Sequence, residues 1–146
     1  MAFSKLAGTF AITTANVAGT EVSANTISGL SKFDRLMFTA TLTGVTGGTL
    51  DVYIQSEIAT NVWVDWAHFA QVAPAGAARS YACSCEATSV ISTVGVGTVA
   101  APGVALAAGT CVGGHPGDKL RAIFVSGAGA SAGAAQVIRV IGWCAK

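Results

Sequence analysis

Two stretches in which apolar and polar residues alternate constrain the fold of this chain more than any other feature. Residues 50–58 and residues 62–72 both follow the period of two that is typical of a strand with one buried face. The loop between them ends in Asn61, a residue that tolerates positive φ, which predicts a type I turn followed by a bulge. The sequence therefore predicts a β-hairpin with one face in the core.

The length of the loop predicts which side chains of the hairpin share a face, if Ile58 pairs with Val62. The predicted core face carries Leu50, Val52, Ile54, Val64, Trp66 and His68. The predicted outer face carries Asp51, Tyr53, Gln55, Glu57, Trp63, Asp65 and Phe69. On this register Asp65 and His68 point to opposite faces, because they are three residues apart on a strand.

Charged residues are scarce in this chain. Asp, Glu, Lys and Arg make up 10% of it and hydrophobic residues 52%, whereas about 25% of an ordinary soluble domain is charged. A surface so poor in charge predicts self-association, as a dimer or trimer, or cover by another partner. Proline and glycine interrupt the longest uncharged stretch, which does not favour a membrane span. The net charge of +1 and the scattered arginines indicate no direct binding of nucleic acid.

Short strands separated by glycine and proline are predicted along the rest of the chain. They cover residues 8–14, 21–28, 33–43, 79–85, 119–125 and 136–144. No segment shows sustained helical periodicity with capping residues. We therefore expect a single all-β domain over residues 1–146, a β-sandwich or jelly roll of antiparallel strands.

Residues 87–117 differ in composition from the rest of the chain, since they are Val, Thr, Ala, Gly and Pro with almost no large side chain. This composition fits a long loop or extended arm that is buried against something else, and it equally fits two thin strands of the same sandwich. Interface centres exclude charge, and this segment has none. We therefore expect it to supply the main partner contact, with the hairpin as a polar edge. The candidate partner-binding residues are Val96, Val99, Val104 and Leu106 in the segment and Tyr53, Trp63 and Phe69 on the hairpin.

The four cysteines, Cys83, Cys85, Cys111 and Cys144, predict neither a disulfide framework nor a metal site. Three pairings are possible and the spacing selects none of them. Reduced thiols that act as small hydrophobic residues are expected. A site built from Cys83, Cys85, Cys111 and His115 matches no common zinc spacing, so no metal and no cofactor are expected.

Catalytic motifs are missing from the sequence. His68 and His115 are its two histidines, and it contains no nucleophile elbow, phosphate loop or zinc-protease motif. Asp51 and Asp65 could lie near each other as a glycosidase pair would, but a flat sheet face offers no pocket to raise one pKa. The sequence therefore predicts a protein that is not an enzyme and has no catalytic residues.

Three segments carry a resemblance to a known family. They are 50–56 (Leu-Asp-Val-Tyr-Ile-Gln-Ser), Trp63-Val-Asp65 with Phe69, and 120–127 (Leu-Arg-Ala-Ile-Phe-Val-Ser-Gly). In order and spacing they resemble the small capsid decoration, or cement, proteins of tailed bacteriophages, over residues 33–72 and 119–141. The chain departs from that pattern in its turn at 57–61, where the family usually has an Asp/Gly-rich turn, and in residues 83–117, which look inserted.

The resemblance implies a noncatalytic virion protein on the outside of a phage capsid, assembled in the host bacterial cytoplasm. Such a protein binds the major capsid protein, is often a homo-oligomer, and holds neighbouring capsid subunits together. An alternative from the residues alone is a carbohydrate- or ligand-binding sandwich on a secreted or virion surface. In that case Tyr53, Trp63 and Phe69 would form a stacking platform for sugars.

Overall fold

Strands are the regular secondary structure of the part of the chain that the computed structural model describes. That part comprises residues 3–12, 19–23, 25–42, 45–69, 71, 79–85, 107–108, 110–112, 115–127, 131–132 and 136–144. In chain order the strands are β1 (Phe3–Ile12), β2 (Gly19–Val22), β3 (Arg35–Leu42), β4 (Val45–Thr46), β5 (Leu50–Ala59), β6 (Val62–His68), β7 (Arg79–Cys85), β8 (Thr110–Cys111), β9 (Leu120–Ser126), β10 (Ser131–Ala132) and β11 (Gln136–Cys144). The prediction of an all-β chain is confirmed for these residues, and none of them belongs to a helix that could cross a membrane.

The strands form two antiparallel sheets. One sheet has the order β1-β11-β3-β7 and the other has the order β2-β9-β5-β6-β8, while β4 and β10 pair as a short ladder. The chain passes repeatedly from one sheet to the other, so most strands pair with strands that are distant in the sequence. Strands β5 and β6, in contrast, are consecutive in the chain and pair with each other. The predicted hairpin therefore lies at the centre of the five-stranded sheet, between β9 and β8.

The predicted strands agree with the structure at 79–85 and 136–144, and within one residue for β9. The strand predicted at 21–28 was too long, because β2 ends at Val22. The chain that follows crosses between the sheets, and within its described residues Ile27 makes an isolated bridge, to Leu120. The carboxylate of Asp118 anchors this crossing, since it accepts hydrogen bonds from Ser31 Oγ at 2.7 Å and from the backbone N of Ser31 at 3.1 Å. These bonds lower the pKa of Asp118.

Among the described residues, one hydrophobic cluster contains side chains of both sheets. The four-stranded sheet contributes Phe10, Leu36, Phe38, Ala40, Ile138 and Val140, and the five-stranded sheet contributes Leu50, Val52, Ile54, Trp66, Leu120, Ala122 and Phe124. The crossing segment adds Ile27, Leu30 and Phe33. The predicted core position of Leu50, Val52 and Ile54 is therefore confirmed. Burying each large side chain contributes about 1.5–3 kcal/mol, which makes this cluster the main source of stability.

Candidate functional site

The register of the hairpin changes at Trp66. Three pairs follow the prediction, namely Glu57 with Trp63, Ser56 with Val64 and Gln55 with Asp65. Beyond them Ile54 pairs with Ala67 and Tyr53 with His68, so Trp66 is an extra residue in β6. At the tip, Ala59 pairs with Val62 and Ile58 is extra, which makes the predicted pairing of Ile58 with Val62 wrong. Asn61 has a φ of 61°, the left-handed conformation expected in a bulged turn.

The bulge at Trp66 moves His68 and Phe69 to the faces opposite to those predicted, because the faces of a strand alternate with a period of two. His68, predicted in the core, lies on the outer face, where its ring stacks on Tyr53. Phe69, predicted on the outer face, is buried in the core with 4% exposure, and its backbone N donates to Val52 O at 2.9 Å. The prediction that Asp65 and His68 point apart is therefore wrong as well, because they pair with Gln55 and Tyr53, which are two residues apart on β5 and share a face.

His68, Tyr53 and Asp51 form the first contact group on the outer face of the hairpin. The rings of His68 and Tyr53 are stacked, with centroids 4.0 Å apart and an interplanar angle of 20°. His68 Nε2 lies 2.9 Å from Asp51 Oδ1, and Gln71 Nε2 donates to Asp51 Oδ2 at 2.6 Å. Burial, followed by the charges of Asp51 and Asp65, raises the pKa of Tyr53 to about 12. Tyr53 is therefore neutral at physiological pH.

Arg121, Gln55 and Asp65 form a second group that runs straight across β9, β5 and β6, because Gln55 pairs with both of the other residues. Arg121 donates from Nε at 2.9 Å and from Nη2 at 2.8 Å to Gln55 Oε1. Gln55 Nε2 in turn donates to Asp65 Oδ1 at 2.8 Å. A neutral amide thus separates the guanidinium from the carboxylate.

The burial of the Asp65 carboxylate lowers the stability of the fold. Its side chain is fully buried, and Asp65 Oδ2 has no hydrogen-bond partner among the described residues. Burial raises the pKa of Asp65, against the smaller opposite effects of the Gln55 hydrogen bond and of His68. A buried carboxylate with one unsatisfied oxygen destabilises a fold in its charged form.

Trp63 lies beneath two cations at the hairpin end of the same face. The guanidinium carbon of Arg121 is 4.4 Å from the centroid of the indole ring, and Lys119 Nζ is 5.5 Å from it. Lys119 Nζ also pairs with Glu57 Oε2 at 2.8 Å, while the backbone N of Asn61 donates to Glu57 Oε1. The Lys119 hydrogen bond is the main cause of the lowered pKa of Glu57.

The structure separates the three aromatic residues that were predicted as partner contacts. Tyr53 is partly exposed, Trp63 is 8% exposed beneath Arg121, and Phe69 belongs to the core. These residues do not form the shared, exposed platform that stacking on a sugar would need. Val96, Val99, Val104 and Leu106 lie outside the described residues, and so does nearly all of 87–117.

Arg121 and Lys119 are the functional candidates that the hairpin pattern missed. Lys119 and Arg121 are two residues apart, which is the spacing that places side chains on one face of a strand. That signal could have indicated a paired basic face. Their position over Trp63 depends on the pairing of β5 with β9, which local sequence does not encode.

Within the described ranges, no group of three or more His, Cys, Asp or Glu side chains is placed to hold a metal ion. His115, the histidine of the rejected zinc arrangement, accepts a hydrogen bond at Nδ1 from the backbone N of Gly117 at 3.0 Å. The backbones of the four cysteines lie in β7, β8 and β11, and their side chains fall outside what the structure describes. The outer face of the hairpin thus carries hydrogen-bonded polar side chains and a cation over an aromatic ring, which are groups that commonly take part in binding.

Comparison of the chain with protein-family models, with curated proteins and with solved structures finds no match in any of the three.

Proposed function

We propose that the protein is a structural virion protein that binds the outer surface of a phage capsid and stabilises it by bridging capsid subunits. On this proposal it is a homo-oligomer, a dimer or trimer, whose partner is the major capsid protein. It acts without catalysis and without a cofactor. Its two antiparallel sheets stack as a jelly-roll-like sandwich over residues 1–146, with 87–117 as a loop, arm or pair of thin strands at the interface.

The position of the resemblance segments in the fold is the observation that carries the proposal. Residues 50–56 lie in β5, residues 63–65 in β6 and residues 120–127 along β9. These strands are neighbours, in the order β9-β5-β6. Segments that are far apart in the sequence therefore form one continuous unit, as expected if they are parts of a single binding module.

The composition of the outer face adds support. Asp51 is bound by Gln71 and lies beside His68, Glu57 is bound by Lys119, and Asp65 is buried against Gln55. These acidic groups are thus engaged within the protein, and the chain has few other charges. Such a low content of charged residues is more typical of a subunit of a stable assembly than of a soluble monomer.

Binding to capsids tests the proposal. The purified protein, mixed with expanded, undecorated phage capsids, should co-sediment to saturation and raise the melting temperature of the shell. A protein that does not co-sediment but binds sugars on a glycan array would support the ligand-binding alternative instead.

Two variants test the predicted role of residues 87–117. Val96→Asp and Val104→Asp should each abolish capsid binding or oligomerisation, because an unpaired charge is costly to bury in an apolar contact. The β-sheet circular dichroism signal should remain. Normal binding by both variants would make the segment a free loop, and loss of the fold would make it part of the core.

A further inference from the structure

The outward faces of the two sheets differ in exposure. On the five-stranded sheet, Gln55, Asp65 and Ile123 lie on the face away from the core cluster, and all three are fully buried. On the four-stranded sheet, every described side chain that projects outward is half-buried or exposed. The outward face of the four-stranded sheet is therefore the sheet surface that is accessible to a partner.

Three apolar side chains form a row across this accessible face. Leu6 on β1 lies opposite Ile141 on β11, and Ile141 lies opposite Met37 on β3. Residues directly opposite each other in an antiparallel pair share a face. Because Val140 and Phe38, the neighbours of Ile141 and Met37 in the sequence, belong to the core cluster, the row lies on the outside. Leu6 is 54% exposed, and the other two are half-buried. We call these three residues the apolar row.

Trp143 and Arg139 lie on either side of the apolar row along β11. Each is two residues from Ile141, so both share its face. Arg139 is exposed, and it pairs with Thr9 on one side and Thr39 on the other, so no carboxylate lies opposite it. Within the described part of the chain, no hydrogen bond or ion pair engages its guanidinium group. We call the apolar row, Trp143 and Arg139 together the open-sheet surface.

The charges of the strands indicate what kind of partner fits this surface. The strands of the four-stranded sheet contain no Asp or Glu, and their cations are Lys5, Arg35, Arg79 and Arg139. A second copy docked face to face about a twofold axis would bring like charges together, which disfavours that contact. The outer hairpin face of a second copy supplies no free carboxylate either, since Asp51, Glu57 and Asp65 are bonded or buried. The complementary partner is therefore a different molecule that carries carboxylates.

We infer that the open-sheet surface docks a protein on which carboxylates flank an apolar strip. A carboxylate of the partner pairs with Arg139, and its apolar side chains pack on the apolar row and on Trp143. Protein interfaces are enriched in tryptophan, methionine and arginine and depleted of lysine, aspartate and glutamate, which is the composition of this surface. The inference rests on the proposed function for the identity of the partner, a capsid subunit, but not for the chemistry of the contact. It adds a second contact to the one proposed for residues 87–117.

The arrangement of the cations favours a protein over a nucleic acid or a lipid bilayer. Arg35 pairs with Trp143, so the apolar row separates Arg35 from Arg139. Nucleic acids are bound by stripes of several cations, and anionic lipids by clusters of them. Two arginines on opposite sides of an apolar row, in a chain with a net charge of +1, form neither pattern.

Methionine-methyl NMR tests the chemistry without a capsid. The labelled methyl group of Met37 reports contact with the apolar row. The probe is a blocked peptide of alternating Glu and Leu, and the control is the same peptide with Gln in place of Glu. The Glu peptide should shift the Met37 signal, and Arg139→Glu should weaken that binding by roughly tenfold or more. No shift at millimolar Glu peptide, or equal binding of the Gln peptide, would overturn the inference.

Two further probes represent the other classes of partner. The protein should not float with vesicles of phosphatidylserine and phosphatidylcholine, and an oligothymidylate should not shift the Met37 signal. Flotation that Arg139→Glu abolishes would overturn the inference in favour of a membrane. A Met37 shift with oligothymidylate at a lower concentration than with the Glu peptide would overturn it in favour of nucleic acid.

A matched pair of variants connects the open-sheet surface to the capsid. Leu6 and Ile58 are 54% and 61% exposed, so an aspartate at either position stays in water in the free protein. Leu6→Asp should weaken binding to expanded, undecorated phage capsids by roughly tenfold or more, because the new charge is buried in the contact. Ile58→Asp, at the hairpin tip of the other sheet, should bind as the wild type does. Urea denaturation checks that both variants keep the stability of the wild type.

The outcomes separate the two proposals. If the wild-type protein binds the Glu peptide at Met37 but binds no capsid, the proposed function fails and the inferred site stands. If the wild-type protein binds capsids and both Leu6→Asp and Arg139→Glu bind equally well, the inferred site is wrong and the proposed function stands.

Discussion

Replacement of Gly142 by alanine is expected to lower the free energy of unfolding by about 2–3 kcal/mol, the upper part of the range for an overpacked core. The ring of Phe33 lies directly on the backbone of Gly142. A β-carbon added there would be 2.7 Å from Phe33 Cδ2 and closer still to Cγ and Cδ1. Phe33 is 4% exposed and belongs to the shared hydrophobic cluster, so its ring has little room to move. Urea denaturation monitored by circular dichroism measures the effect.

Two controls show whether contact with Phe33 causes the loss. Gly127→Ala makes the same chemical change where the new atom would be 3.1 Å from Thr49 Oγ1, and it should cost far less. In a Phe33→Ala background, Gly142→Ala should cost almost nothing, because the ring it strikes is gone. If Gly142→Ala cost as much in that background as in the wild type, contact with Phe33 would not be the cause.

Replacement of Asp65 by asparagine is expected to raise the free energy of unfolding at pH 7 by about 1–2 kcal/mol, because it removes a buried charge, and leaving a neutral amide without a partner costs less than leaving a carboxylate without one. Because burial raises the pKa of Asp65, the folded protein holds the proton to a higher pH than the unfolded chain does. The resulting stabilisation is complete below the ordinary aspartate pKa and is lost as the pH rises through the folded-state pKa. At pH 7 the wild type therefore bears the cost of a buried charge, which the neutral amide removes.

Asp51→Asn is the matched control on the same face. Asp51 lies beside His68 and accepts a bond from Gln71, so this variant should lose stability or leave it unchanged. Denaturation from pH 4 to pH 8 should show that Asp65→Asn removes the fall in stability above the ordinary aspartate pKa. A loss of stability in Asp65→Asn at pH 7 would show that the ionised carboxylate is compensated within the fold.

The core of the hairpin could be predicted from sequence because it depends on local alternation. Leu50, Val52 and Ile54 are separated by outward-facing residues, and burial of apolar surface selects that face whichever strands are its neighbours. The strand at 136–144 was predictable for a similar reason, since its β-branched residues favour extended backbone. The pairing of β1 with β11 and of β9 with β5 could not be predicted in this way, because the paired strands are far apart in the chain. An alternating pattern is compatible with many different strand pairings.

The alternation of apolar and polar residues did not predict the bulge at Trp66, but its effect on burial explains why it forms. Without the extra residue, His68 would face the core and Phe69 would face outward. The bulge exchanges them, so that Phe69 is buried and His68 meets Asp51. Burying phenylalanine contributes about 1.5–3 kcal/mol, and a core histidine without a partner would cost a hydrogen bond. The Arg121 contact was missed for a related reason, because it depends on Gln55 lying opposite both Arg121 and Asp65.

A cryo-electron microscopy reconstruction of expanded capsids incubated with the purified protein tests the proposed function most directly. The proposal predicts added density on the outer surface at the junctions between capsid subunits, into which the two sheets fit. Capsids with no added density under conditions where the protein is folded and in excess would contradict it.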